Sequence, residues 1–109
     1  MIAGMIITGD SSTQVVVRGI GPSLENAGVP EVLADPRLDL VNGNGDTLYS
    51  NDNWQESQGQ AIQDTGLAPN HPNESAILFS LPPGNYTALV SGAGGGTGNA
   101  LVEVYKLSP

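Results

Sequence analysis

The side chains best suited to chemistry in this sequence lie in one polar stretch. Asp46 precedes a short apolar segment, and Asn51, Asp52 and Asn53 directly follow it. Carboxylate and amide oxygens are ligands that Ca²⁺ prefers, and a hairpin would bring such donors to one end of a sheet. The spacing is not that of an EF-hand loop. The stretch therefore predicts either a calcium site or a set of Asx turns, in which the side chains bond to their own backbone.

Trp54 follows these donors and is the only tryptophan of the chain. Beside Asn and Asp side chains, an indole ring can stack on a sugar, which would make this loop a glycan-binding site. The alternative interpretation is that Trp54 covers one edge of the hydrophobic core.

The sequence offers few residues that are suited to catalysis. The only histidine, His71, lies in a loop bounded by prolines, and the chain has no cysteine. No Gly-x-Ser-x-Gly motif is present, and one histidine without cysteine cannot build the usual zinc site. Eleven acidic residues always supply some carboxylate pair, so such pairs carry no specificity for glycoside hydrolysis. We expect no enzymatic activity.

The charge balance limits the partners. Eleven acidic residues face three basic ones, Arg18, Arg37 and Lys106, for a formal net charge of −8. Three basic side chains are too few to neutralise the phosphate groups of a nucleic acid or of an anionic membrane surface. We therefore expect neither as a partner. The apolar residues 1–7 are too few to span a membrane. They also lack the basic region of a signal peptide, so we expect any targeting segment to lie outside this sequence or to have been removed.

Arg18 needs a partner because it follows a run of three valines that indicates burial. An unpaired buried charge is very unfavourable. Glu103, within the apolar last segment, is the predicted ion-pair partner, and Asp35 is the alternative. We expect this pair to act as a clamp between two sheets.

The elements that would position these residues are strands. β-type segments separated by Gly, Pro and Asn turns occur at residues 2–8, 13–18, 37–40, 47–50, 75–81, 86–91 and 100–107. The first two are expected to pair as a hairpin, and Asn44-Gly45 favours a second hairpin. One helical turn is predicted near residues 30–33, and residues 55–64 should hold a short helix that caps one end. The whole chain, residues 1–109, is predicted to be one antiparallel β-sandwich of jelly-roll type, with seven or eight strands.

The first segment is a candidate for self-association. Met1, Ile2, Met5, Ile6 and Ile7 form an apolar run at a chain end. A strand at the edge of a sheet leaves N–H and C=O groups that invite another chain. Strand addition between copies would give an open filament. The alternative is that the run pairs within its own sandwich.

Seven blocks of residues, in order, carry a resemblance. They are residues 16–24 (VVRGIGPSL), 34–36 (ADP), 51–54 (NDNW), 66–69 (GLAP), 74–77 (ESAI), 83–92 (PGNYTALVSG) and 97–105 (TG followed by ALVEVY). Together they resemble an uncharacterised β-sandwich domain of large secreted bacterial surface proteins. A weaker similarity, in pattern only, is to bacterial pre-peptidase C-terminal domains, which are accessory binding modules, some with calcium.

The resemblance implies an extracellular or cell-surface location in a bacterium. The function we expect is a non-catalytic structural or adhesive module whose partners are further copies of itself or neighbouring surface domains. It would need no cofactor. A calcium-dependent glycan-binding module is the alternative.

Overall fold

The computed structural model describes residues 1–107, which form two antiparallel sheets packed face to face. The strands are β1 (Ile2–Ile7), β2 (Thr13–Ile20), β3 (Pro36–Asn42), β4 (Thr47–Asn51), β5 (Ser75–Leu81), β6 (Gly84–Gly92) and β7 (Leu101–Lys106). The first sheet has the order β1-β6-β3-β4 and the second the order β5-β2-β7. Every connection except β3–β4 passes from one sheet to the other. The predicted antiparallel β-sandwich is confirmed, with seven strands.

The core lies between the two sheets and is built from alternate residues of each strand. Leu38 and Leu40 of β3 face Ile77 and Leu81 of β5, and all four are fully buried. Val15, Val16 and Val17 of β2 are also fully buried, although successive residues of a strand point to opposite faces. The expectation that this valine run is buried on both sides is therefore confirmed.

A second apolar layer covers part of the outer face of the three-stranded sheet, over β5. Trp54, Ile62 and Ala76 form a cluster separate from the main core, with Ala68 and Leu78 packed against it. Ile62 belongs to α1 (Gly59–Asp64), which confirms that this loop holds a short helix. The predicted position at one end of the sandwich is wrong. The helix packs on the outer face because Ala76 and Leu78 point away from the main core.

The first two strands do not form the predicted hairpin. β1 pairs with β6, in a register that places Ile2 opposite Leu89, whereas β2 lies in the other sheet. A strand buried on both faces takes a central position, and β5 and β7 occupy both sides of β2. No edge of β2 is left for β1, so the turn at residues 8–12 carries the chain across to the other sheet.

The helical turn predicted near residues 30–33 is also misplaced. A 3-10 helix, η1 (Pro22–Ala27), begins at the earlier proline and ends at Gly28, whose φ of 85° suits glycine. A second short 3-10 turn, η2 (Ala93–Gly95), follows β6. Residues 30–33 instead form a loop in which Glu31 has a φ of 51° and Val32 bridges to Asn99.

Shortening Ile62 to alanine tests the second apolar layer. The side chain is fully buried, so Ile62→Ala should lower the free energy of unfolding by about 2–4 kcal/mol. Urea denaturation followed by the fluorescence of Trp54 reports this cluster directly, since the chain has no other tryptophan. Gln60→Ala, on the exposed side of the same helix, is the matched control. Equal stability of the two variants would show that the helix is not packed as described.

Candidate functional site

The sandwich is closed on the side where β4 and β5 lie. β5 is an edge strand, yet side-chain amides bond three of its outward backbone groups. The Asn51 Oδ1 atom accepts a hydrogen bond from the Ala76 N–H at 3.0 Å. The Gln58 amide accepts from the Leu78 N–H at 3.0 Å and donates to the Leu78 C=O at 2.8 Å. These two side chains take the place of a neighbouring strand, which protects the edge from other chains.

β4, the edge strand above β5, is protected differently. It is only five residues long, and its pairing with β3 shifts register between Leu40 and Val41. Short edge strands and bulges both discourage pairing with a further strand. The loop after β4 also bonds to it, because the Tyr49 hydroxyl donates to the Ser57 Oγ atom at 3.0 Å.

β1, on the opposite side, is an open edge. Met1 and Val90 exchange backbone hydrogen bonds of 3.1 and 2.9 Å. In an antiparallel ladder the bonded pairs alternate, so the odd-numbered residues of β1 bond to β6. The N–H and C=O groups of Ile2, Gly4 and Ile6 therefore point away from the sheet. Among residues 1–107, β1 has no strand on that side.

The side chains of this open edge are apolar and exposed. Ile2 is 69% exposed and Ile6 is 66% exposed, whereas Ile7 is only 3% exposed. Met5 is half-buried against the main core. Of the five residues predicted for self-association, Met1, Ile2 and Ile6 are thus available at the surface, and Met5 and Ile7 stabilise the fold. β1 contains no charge, proline or bulge to discourage pairing.

β7 is the second free edge on the same side. The Leu107 N–H donates to the Gln14 C=O, so by the same alternation the backbone groups of Val102, Val104 and Lys106 point outward. The Val102 and Val104 side chains, however, pack into the core. Lys106 is exposed, and a lysine on an edge strand discourages pairing.

The predicted calcium donors are divided by the fold. Asp46 lies in the β3–β4 turn, where its N–H donates to the Asn42 Oδ1 atom. Asp52 lies past the other end of β4, roughly 20 Å away at about 3.3 Å per residue. The Asn51 amide is already engaged, with Ala76 and with the Asn53 C=O. The prediction that these four residues share one ion is therefore wrong.

Asp52 instead lies beside Asp35, which precedes β3. The carboxyl groups of Asp35 and Asp52 lie within hydrogen-bonding reach of each other. One Oδ1 atom on each of Asp35, Asp52 and Asn53 is buried and has no hydrogen-bond partner among the described residues. No group of three or more His, Cys, Asp or Glu side chains within residues 1–107 is arranged for a metal. The two carboxylates of Asp35 and Asp52 would supply part of a calcium shell, with carbonyls and water completing it.

Burial raises the pKa of Asp52 above its ordinary value of 3.8, and the neighbouring Asp35 carboxyl raises it further. The Arg37 guanidinium partly opposes this effect. The sequence suggests Asp35 only as an alternative partner for Arg18. Its position immediately before the strand that pairs with β4 is the signal that could have placed it beside Asp52.

The packing of Trp54 contradicts the predicted sugar contact. The side chain is only 8% exposed and contacts Ile62 and Ala76, so its ring has no free face for a sugar. The alternative interpretation, in which Trp54 completes an apolar cluster, describes what the structure shows.

Arg18 and Glu103 form an ion pair, but the pair is not a clamp between sheets. The two residues are direct cross-strand neighbours on β2 and β7, and the Arg18 Nε atom donates to Glu103 at 3.0 Å. Both lie on the outer face of the three-stranded sheet. Arg18 also donates to the Leu67 C=O at 3.2 Å, and its guanidinium lies 5.1 Å from the Tyr105 ring centre. The pair therefore ties the long loop before β5 to the sheet.

No sequence pattern marks Glu74, although it is the most deeply buried carboxylate among residues 1–107. It is fully buried and accepts hydrogen bonds from the Gly21 N–H, the Ser23 N–H and the Ser23 hydroxyl, at 2.9, 2.9 and 2.6 Å. The contact spans more than fifty residues, so no local pattern reveals it. It fixes the start of η1 against the start of β5.

A surface depression of about 480 Å³ includes Ser23 and His71. The Ser23 hydroxyl donates to Glu74, and the His71 Nδ1 atom accepts from the Asn73 N–H at 3.1 Å. No hydrogen bond joins Ser23 to His71 within the described part of the chain. These contacts do not form the nucleophile–base pair of a hydrolase.

Comparison of the chain with protein-family models, curated proteins and solved structures found no match. Within residues 1–107, no helix has the length and apolar character needed to cross a membrane.

The carboxyl pair gives a pH prediction. Because the pKa of Asp52 is raised in the folded state, the unfolded chain ionises first as the pH rises above 3.8. The folded state therefore loses stability from this pH up to the raised pKa, and the full penalty remains above it. Asp52→Asn keeps the shape of the side chain without its charge. As the pH rises over this range, the free energy of unfolding of the variant should therefore increase relative to that of the wild-type protein. Urea unfolding in a chelator at pH values from about 4 to 7 measures this. A difference that does not vary with pH would contradict the shift.

Proposed function

We propose that this chain is a non-catalytic structural module of the bacterial exterior that assembles by adding a β-strand along the open edge of β1. One observation carries the proposal. The β5 edge is closed by Asn51 and Gln58, whereas β1 presents unbonded backbone groups between two exposed isoleucines.

The physical argument is that an exposed apolar edge is a liability unless it is used. Each backbone hydrogen bond gained by pairing adds about 1 kcal/mol net, and burying apolar side chains adds roughly 25 cal/mol per Å². Ile2 and Ile6 supply such side chains on either side of Gly4, a residue that leaves space for an approaching chain. The sequence blocks that resemble domains of secreted surface proteins support the proposed location. A filament or a surface layer would need a second contact on each copy beside the pairing at β1, for which β7 offers a free edge.

Replacing Ile6 with lysine tests the open edge. The side chain is 66% exposed, so Ile6→Lys should leave the fold intact while placing a charge in the paired interface. We expect the wild-type protein to form oligomers and the Ile6→Lys variant to be monomeric. Size-exclusion chromatography with light scattering and negative-stain microscopy measure both.

Gln60→Lys is the matched control, because it adds the same charge at an exposed position on the closed side. It should assemble like the unchanged protein. The proposal would be contradicted if the wild-type protein stayed monomeric at high concentration, or if the Ile6→Lys variant assembled as well as the wild type.

A calcium-binding module is the second candidate. The observation that favours it is the neighbouring pair of Asp35 and Asp52, each of which has a buried Oδ1 atom with no hydrogen-bond partner among the described residues. A bound Ca²⁺ would neutralise the two carboxylates and raise the melting temperature, and Asp52→Asn would abolish this rise. Differential scanning calorimetry with and without calcium decides it. An unchanged melting temperature would leave no support for this function.

A further inference from the structure

We infer that the strand added to β1 is the β1 strand of a second copy, paired antiparallel about Gly4 as a two-fold symmetric dimer. The inference rests on the proposed function, since it names the partner of the same edge. It also replaces head-to-tail addition with a symmetric contact at this edge.

The backbone of β1 fits this pairing. The outward N–H and C=O groups belong to Ile2, Gly4 and Ile6, which are spaced evenly about Gly4. If Gly4 faces Gly4 of the second copy, then Ile2 faces its Ile6 and Ile6 faces its Ile2. All three are hydrogen-bonded pairs of two bonds each, so every outward group of β1 finds a partner. A shift of two residues in either direction would leave outward groups of β1 unpaired.

The side chains also match across this axis. The exposed side chains of Ile2 and Ile6 lie on the outer face of the four-stranded sheet. In this pairing Ile2 of one copy lies directly opposite Ile6 of the other, with their Cα atoms roughly 5.5 Å apart. Leu89 lies next to Ile2 within each copy, so an apolar row continues from β6 across the axis. Cross-strand pairs of β-branched side chains stabilise such contacts.

Charge favours β1 over the other free edge. Each copy has a net charge of −8, so two copies repel each other, and the repulsion is smaller where the contact itself carries no charge. β1 has no charged side chain, whereas β7 carries Glu103 and an exposed Lys106. The two four-stranded sheets would join into one continuous sheet of eight strands, with β1 of each copy at its centre.

Cysteine crosslinking tests this geometry because the chain has no native cysteine. Gly4→Cys is tolerated, since nothing lies within 4 Å of a Cβ atom placed there. In the paired state its Cα atoms would be within the 4.4–6.8 Å range of a disulfide. Ile2→Cys and Ile6→Cys are single exposed replacements, and Gln60→Cys on the closed side measures random collision.

We expect Gly4→Cys to form a disulfide-linked dimer under mild oxidation, on the order of a hundredfold faster than Gln60→Cys, because pairing raises the effective concentration. Ile2→Cys and Ile6→Cys should each crosslink slowly alone and quickly when mixed. Non-reducing electrophoresis and mass spectrometry of the linked peptides measure these rates.

Three other results would contradict the inference, and the measurements distinguish them from one another. Fast crosslinking of Ile2→Cys with itself and of Ile6→Cys with itself would show parallel pairing. Oligomers that depend on Ile6 but crosslink no faster than Gln60→Cys would show a different strand on the β1 edge, and the proposed function would stand. A protein that is monomeric by light scattering would overturn both.

Discussion

The constraint that organises this molecule is that two open sheets have four edges, each with a row of N–H and C=O groups that need partners. The fold resolves the edges unequally. Side-chain amides of Asn51 and Gln58 occupy the β5 edge, and β4 is short and irregularly paired. On the opposite side, β1 and β7 leave their outward groups to the solvent or to another chain. This asymmetry leaves one side of the sandwich with backbone groups to which a further strand could bond.

The closed side depends on a long segment between β4 and β5, which must itself be anchored. Ile62 and Trp54 hold it by apolar packing on the outer face of the three-stranded sheet. Arg18 holds it by donating to the Leu67 C=O while paired with Glu103. Where the segment ends, Glu74 is fully buried and bonds to residues 21 and 23. These polar groups are hydrogen-bonded within the fold, so they stabilise the sandwich.

The sequence indicated the parts of this fold that depend on local periodicity. Alternation revealed the strands, three valines marked a strand buried on both faces, and Asn44-Gly45 marked the β3–β4 turn. Partners were harder to predict, because pairing is decided by competition between distant segments. β1 was assigned to β2, although β5 and β7 already occupy both edges of that strand. The predicted calcium donors are close in sequence, yet β4 separates Asp46 from Asp52. Asp35, which does lie beside Asp52, belongs to a different segment of the chain. Within residues 1–7, strict alternation does separate the exposed Ile2 and Ile6 from the core-facing Met5 and Ile7.

Amide hydrogen exchange of β1, followed by NMR at several protein concentrations, tests the central claim most directly. The N–H groups of Ala3, Met5 and Ile7 are bonded within the sheet and should exchange slowly at every concentration. Those of Ile2, Gly4 and Ile6 point outward, so their exchange should be fast in dilute protein and slow once copies associate. Fast exchange of these three amides at all concentrations would show that no strand is added to this edge.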